Sequence, residues 1–168
     1  MPGAGIVSMN GTRRLESHGI SLEVPVGWEV RFTGPAMRLD DGGTSHPYLH
    51  AANFALPAHR APFGSGVVGE MGPSDAFAAL LEYSPQSAAT PLFGARGVPV
   101  RLQGGDFSAS TLQRTLRGQS GFQRFFHVAG RAFCLYAVLG GRAAHRRGLV
   151  ELNDLLWSTR VHAVSVAP

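Results

Sequence analysis

"GFQRFFHVAGRAFCLYAVLG", residues 121–140, decides how the chain is read. Two apolar runs meet at Ala129-Gly130, and a two-residue junction between runs rich in aromatic and β-branched side chains reads as a β-hairpin. With those two residues as the loop, Phe126 faces Phe133, Phe125 faces Cys134 and Phe122 faces Ala137. One face of the predicted sheet then carries Phe122, Phe126, Val128, Phe133 and Leu135; the other carries Phe125, His127, Cys134 and Tyr136. A sheet with one face in water alternates apolar with polar residues. This hairpin is apolar on both sides, so both faces are expected to be covered.

Beyond the hairpin, "RRGLVELNDLLWSTRV" (146–161) places Leu149, Leu152, Leu156 and Thr159 at helical spacing. Leu155 broadens the stripe and Trp157 sits beside it, so an amphipathic helix is expected over one face of the hairpin. Towards the N-terminus, "GISLEVPVGWEVRF" (19–32) alternates Ile20, Leu22 and Val24 with polar residues, then Trp28, Val30 and Phe32. The two halves flank Pro25-Val26-Gly27, which removes a ladder donor and permits unusual backbone angles, the chemistry of a bend between strands. Trp28 is expected to plug one end of the core.

The middle of the chain is turn-rich. Residues 33–45 read as a connection, with Asp40 and Asp41 before two glycines as turn chemistry ahead of acid catalysis. "YLHAANFAL" (48–56) reads as a strand with Tyr48, His50, Ala52, Phe54 and Leu56 on one face. Residues 57–74 form the longest irregular segment, rich in proline and glycine, and such loops are commonly functional or mobile. "SDAFAALLEYSP" admits two readings. As a helix, Ser74 is its N-cap and Phe77, Leu80 and Leu81 share a side; as a strand, Phe77, Ala79, Leu81 and Tyr83 align. Local propensity leans to the helix. "GVPVRLQ" (97–103) is predicted as a strand suited to an edge by Pro99, and "SASTLQRTL" (108–116) as a short helix capped by Ser108. The expected organisation is a flexible lead over residues 1–18, one α+β domain over 19–163 and a tail over 164–168.

Composition agrees with one domain. A chain of 168 residues can bury about 68–70% of its unfolded surface. Its 44% hydrophobic and 15% charged residues describe a globular protein with a real core. Glycine (22) and proline (11) are frequent enough to predict short elements and many turns. All 15 Lys-or-Arg positions are arginine, through codon usage or through selection for bidentate anion contacts. The net charge of +4 is modest and the arginines are scattered, whereas a nucleic-acid binder gathers its charge, so nucleic acid is not an expected partner. One cysteine, Cys134, allows no intramolecular disulfide and, among apolar neighbours, reads as a small core residue. The first residues lack a signal-like apolar run and no stretch approaches about 18 apolar residues, so a cytoplasmic protein without a membrane span is expected.

"LEVPVGW" near the start and "LNDLLWSTRV" near the end resemble the bookends of the PsbP-like α/β/α sandwich superfamily. That superfamily includes photosystem II extrinsic proteins, a Ran-binding import factor, mycobacterial lipoproteins and type VI secretion effector chaperones. The stretches from "AFAALLEYSP" to "AFCLYAVLG" also resemble small uncharacterised proteins of actinobacteria, and that likeness implies a strand over residues 77–83. The resemblance implies a mainly antiparallel sheet covered by helices, with the C-terminal helix packed on it. It carries no common active centre, because members share architecture rather than a site.

Several constellations hold residue types that can carry chemistry. "GSGVVG" (64–69) matches a dinucleotide fingerprint in letters, but Gly72-Pro73 interrupts the helix that the mechanism needs and no acid follows over residues 85–95. His46 and His50 are four apart with Pro47 between them, a weak zinc pair. His127 on an apolar face reads as a core histidine before it reads as a base. Arg142, His145, Arg146 and Arg147 precede the last helix, either as a solvated loop or as a contact for an anion or acidic partner at the helix N-terminus. No metal or cofactor is implied. The expected function is a non-catalytic binding or adaptor domain for a protein partner, chaperone-like in character, with homo-oligomerisation open. The alternative is a small-molecule binder or enzyme using a pocket between sheet and helix with His127 or His50 as its polar group.

Overall fold

Ala129 and Gly130 adopt left-handed φ angles of 52° and 73°, the pair that a two-residue type I′ turn demands. The turn sets the register read from the sequence: Phe126 opposes Phe133, Phe125 opposes Cys134 and Phe122 opposes Ala137. The structure, a computed structural model, describes residues 6–7, 11–34, 37–38 and 44–164. The Asp40-Asp41 pair and residues 165–168 of the expected tail lie outside the described residues.

In chain order the strands are β1 (Ile6–Val7), β2 (Arg13–Ser17), β3 (Ile20–Val24), β4 (Glu29–Thr33), β5 (Met37–Arg38), β6 (Thr44–Ser45) and β7 (Tyr48–Ala52). They continue with β8 (Ala76–Tyr83), β9 (Ser120–Val128) and β10 (Arg131–Leu139), followed by helix α1 (Arg147–Ser158) and β11 (Arg160–Val161). Five strands form the main antiparallel sheet in the order β4-β7-β8-β10-β9. A second sheet runs β1-β2-β3-β11, and β5 pairs with β6. The fold is α+β, with one helix packed on a sheet.

Both faces of the main sheet are covered, by unlike layers. On one face, Ile20, Leu22 and Val24 of β3 and Leu149, Leu152, Leu155 and Leu156 of α1 join Phe122, Phe126, Phe133 and Leu135 in the larger core. On the other, Phe77, Cys134, Tyr136 and Val138 are sealed by Val67 from the irregular segment and by Leu56, which lies past the end of β7 at Ala52 where the strand was expected to continue. Among the described residues α1 is the one α-helix, so this second cover is loop where helices were expected. Its chain is held down locally: Gly64, at φ 86°, leaves so little room that a Cβ there would sit 2.6 Å from Phe77 Cε1. Phe63, Val67, Val68 and Met71 of residues 57–74 therefore pack onto this face, while much of the rest of the segment stays exposed.

The bend at Pro25-Val26-Gly27 does more than join two strands. Trp28 N–H closes a turn on the Pro25 carbonyl (3.1 Å), Gly27 takes φ 82°, and the chain passes from the second sheet into the main one. Trp28 lands buried, and its indole N–H donates to Glu151 Oε2 of α1 at 2.7 Å. The plug predicted from the sequence is thus also a tie to the helix.

Three expectations need correction, and one open reading is resolved. The flexible lead expected over residues 1–18 contains β2, which pairs with β3 across a left-handed turn at His18-Gly19. Residues 97–103 are not a strand: Pro99 offers no ladder donor, Arg101 takes φ 58°, and the segment bonds instead to the side chain of Asn153. The helix expected over 108–116 is a single 3-10 turn, Ala109–Thr111, although Ser108 does cap it by accepting from Ser110 N–H. Finally, residues 76–83 are strand, against local propensity, because β8 lies between β7 and β10 and buries side chains on both faces.

Candidate docking groove

Asn153 builds the site. From the flank of α1 its side-chain carbonyl accepts from Leu102 N–H and its amide donates to Leu102 O, both at 2.8 Å. This paired contact imitates one rung of a β-ladder and fixes residues 98–102 beside the helix. Between that segment, the end of α1 and β11 lies an open groove of about 300 Å³. Five aliphatic side chains line it: Val98, Val100, Val128, Leu156 and Val161.

Trp157 forms one wall. It is 55% exposed, whereas Trp28, the other tryptophan, is buried. The Arg101 guanidinium carbon lies 5.2 Å from the Trp157 ring centroid, a cation–π distance, and the left-handed backbone at Arg101 aims it there. Arg101, Asn153 and Asp154 line a smaller neighbouring depression of about 170 Å³ that also includes Trp157. At the end of the groove Arg160 donates through Nη1 to Trp157 O (2.7 Å) and Thr159 O (3.0 Å), closing the C-terminus of α1.

The four cluster residues read from the sequence do not converge on one point. Arg142 and His145 lie on a 3-10 turn, Arg142–His145, and Arg147 is the first residue of α1. His145 turns inward, its ring centroid 6.1 Å from that of Phe107 and its Nε2 3.3 Å from Ser120 Oγ. Arg147 pairs through Nε with Glu151 Oε1 at 2.6 Å, while Arg142 and Arg146 are exposed.

The histidines weighed as reactive groups are occupied in building the fold. His50 is fully buried; its Nε2–H donates to Pro62 O (2.7 Å), which leaves Nδ1 to accept from Arg60 Nε at 2.9 Å. Burial, with the Arg60 charge adding to it, lowers its pKa from 6.5 to about 4, outweighing the Pro62 hydrogen bond, so the ring is neutral. His127 Nδ1 bonds Phe93 O at 2.6 Å, tying the 3-10 turn Pro91–Phe93 to β9. Cys134 is buried with its thiol pKa pushed up to about 11, which makes it an inert core residue. "GSGVVG" has neither a strand before it nor an α-helix opening on it, and its glycines serve the loop over Phe77.

Sequence reasoning missed Arg131, one of the most connected polar residues. It is 4% exposed, with Nε and Nη2 clasping Glu82 (2.8 and 2.7 Å), Nη2 also reaching His18 O (2.9 Å) and Nη1 donating to Gly19 O and His162 O. All five guanidinium N–H groups are thereby used, and they join the hairpin turns of the two sheets to the chain end. An arginine directly after a type I′ turn was the one available signal.

Among the described residues no three His, Cys, Asp or Glu side chains gather as a metal site, and no helix is long and apolar enough to cross a membrane. No protein-family model, no curated protein and no solved structure matches the chain.

Proposed function

We propose that the chain is a non-catalytic binding or adaptor domain that recognises a protein partner in the Trp157 groove. The observation that carries this reading is the exposed indole standing over five aliphatic side chains. Tryptophan and arginine at a well-formed concavity are the residues that dominate binding energy at protein interfaces. The arrangement is also held ready: Asn153 fixes one wall and Arg160 the other, so little ordering is needed on binding. The PsbP-like resemblance, with effector chaperones among its members, supports the same class of role, and a cytoplasmic setting belongs to this proposal. A small-molecule site built on His50 or His127 finds less support, because both rings bond to backbone carbonyls of covering loops.

A photo-reactive amino acid at position 100, expressed in the native host, tests the proposal. A discrete protein adduct is expected from position 100, and it should disappear in a Trp157→Ala background. The same probe at Leu92, also exposed, should give none. Equal adducts from both positions, or none from position 100, would overturn the reading.

A further inference from the structure

The groove carries one charge. Among its lining residues Arg160 alone is ionic, and the rest of the lining is aliphatic or aromatic apart from Thr159. Arg101 and Asp154, of opposite charge, line the neighbouring depression that shares Trp157 with the groove, and neither lines the groove itself. Arg160 is only half used: Nη1 is committed to two backbone carbonyls, and among the described residues Nε and Nη2 make no hydrogen bond. That leaves the Nε–Nη2 edge, the edge that takes a carboxylate through two parallel hydrogen bonds. The carbonyl bonds also fix the guanidinium in place, removing much of the rotamer freedom an exposed arginine would lose on binding.

We propose that the groove selects an acidic, apolar segment of its protein partner, aliphatic side chains lying on the valine floor and one carboxylate meeting the free edge of Arg160. This inference rests on the docking reading above and adds to it the chemistry of the partner. The apolar floor supplies contact area, and the single cation sets polarity and register. A basic segment would place its charge against Arg160 and be rejected.

The test uses fluorescein-labelled ten-residue peptides with alternating leucines and a central Glu, Gln or Lys, followed by fluorescence anisotropy with the full chain. The Glu peptide is expected to bind about tenfold or more tightly than the Gln and Lys peptides, with a preference that shrinks as salt is raised. In an Arg160→Glu variant the order should reverse to favour the Lys peptide. Equal binding of all three peptides, no binding of any, or a Glu preference that survives Arg160→Glu would each overturn the proposal. If the variant does not fold, the peptide order and salt dependence of the unaltered chain decide. Persistence of the position-100 adduct alongside failed peptide selection would discard the acidic chemistry and keep the docking site; loss of both would discard both.

Discussion

Arg131 is where a single residue matters most to stability. Its guanidinium satisfies Glu82 and three backbone carbonyls from two other parts of the chain. Truncation to alanine leaves a nearly buried carboxylate without its partner, which costs about 3–5 kcal/mol. Lysine keeps the charge but lacks the fork, so Arg131→Lys should recover only part of the loss in urea unfolding. His50 gives stability a pH dependence. Its folded pKa, about 4, lies below the usual 6.5. Above pH 6.5 the ring is neutral in both states; as pH falls from 6.5 to 4 the unfolded chain takes up the proton first and stability declines. The shift corresponds to about 3 kcal/mol over that window, and a His50→Asn variant should show a flatter profile. Ala129 holds φ 52° without being glycine or asparagine. Ala129→Asn is expected to raise stability by about 0.5–1 kcal/mol, read as a shift in the urea midpoint.

Elements differ in how far the sequence announced them. The β9–β10 hairpin, the β3 and β4 halves and α1 were legible because each carries its own periodicity and its own punctuation: Ala129-Gly130, Pro25-Val26-Gly27 and the Leu149-Leu152-Leu156 stripe. β8 was ambiguous because a strand buried on both faces loses the alternation that would mark it, and its alanines and leucines favour helix locally. The 97–103 segment misled for the opposite reason. Its alternation of Val98, Val100 and Leu102 is genuine, yet the partner that uses it is the Asn153 side chain, about 50 residues away, rather than a strand. Hence the groove itself was invisible in the sequence, although Trp157 had been placed at the edge of the apolar stripe. Replacing Asn153 by alanine should cost about 1–3 kcal/mol and weaken partner binding through a loosened wall, while α1 keeps its helicity by circular dichroism. The loop cover over the second face has its own probe. Cys134 lies beneath it with no exposed surface, so a thiol reagent should react with the native protein orders of magnitude more slowly than with the unfolded chain.

The layering of the molecule places the proposed docking groove at one corner. The main sheet is sealed by α1 and the second sheet on one face and by residues of the 53–71 connection on the other. Its outer strand β9 is partly closed as well, by isolated bridges from Ser108 to Gly121 and from Arg96 to His127. The groove arises where the 98–102 segment, the end of β9 and the junction of α1 with β11 meet without filling the space between them. The Arg142–Arg147 region lies at the opposite end of α1, and a partner docked there would leave the groove untouched. Hydrogen–deuterium exchange on the chain alone and on the complex recovered from the native host separates the two. New protection is expected over residues 97–102 and 156–161, with residues 142–147 unchanged. Protection confined to residues 142–147, with the groove exchanging as in the free chain, would contradict it.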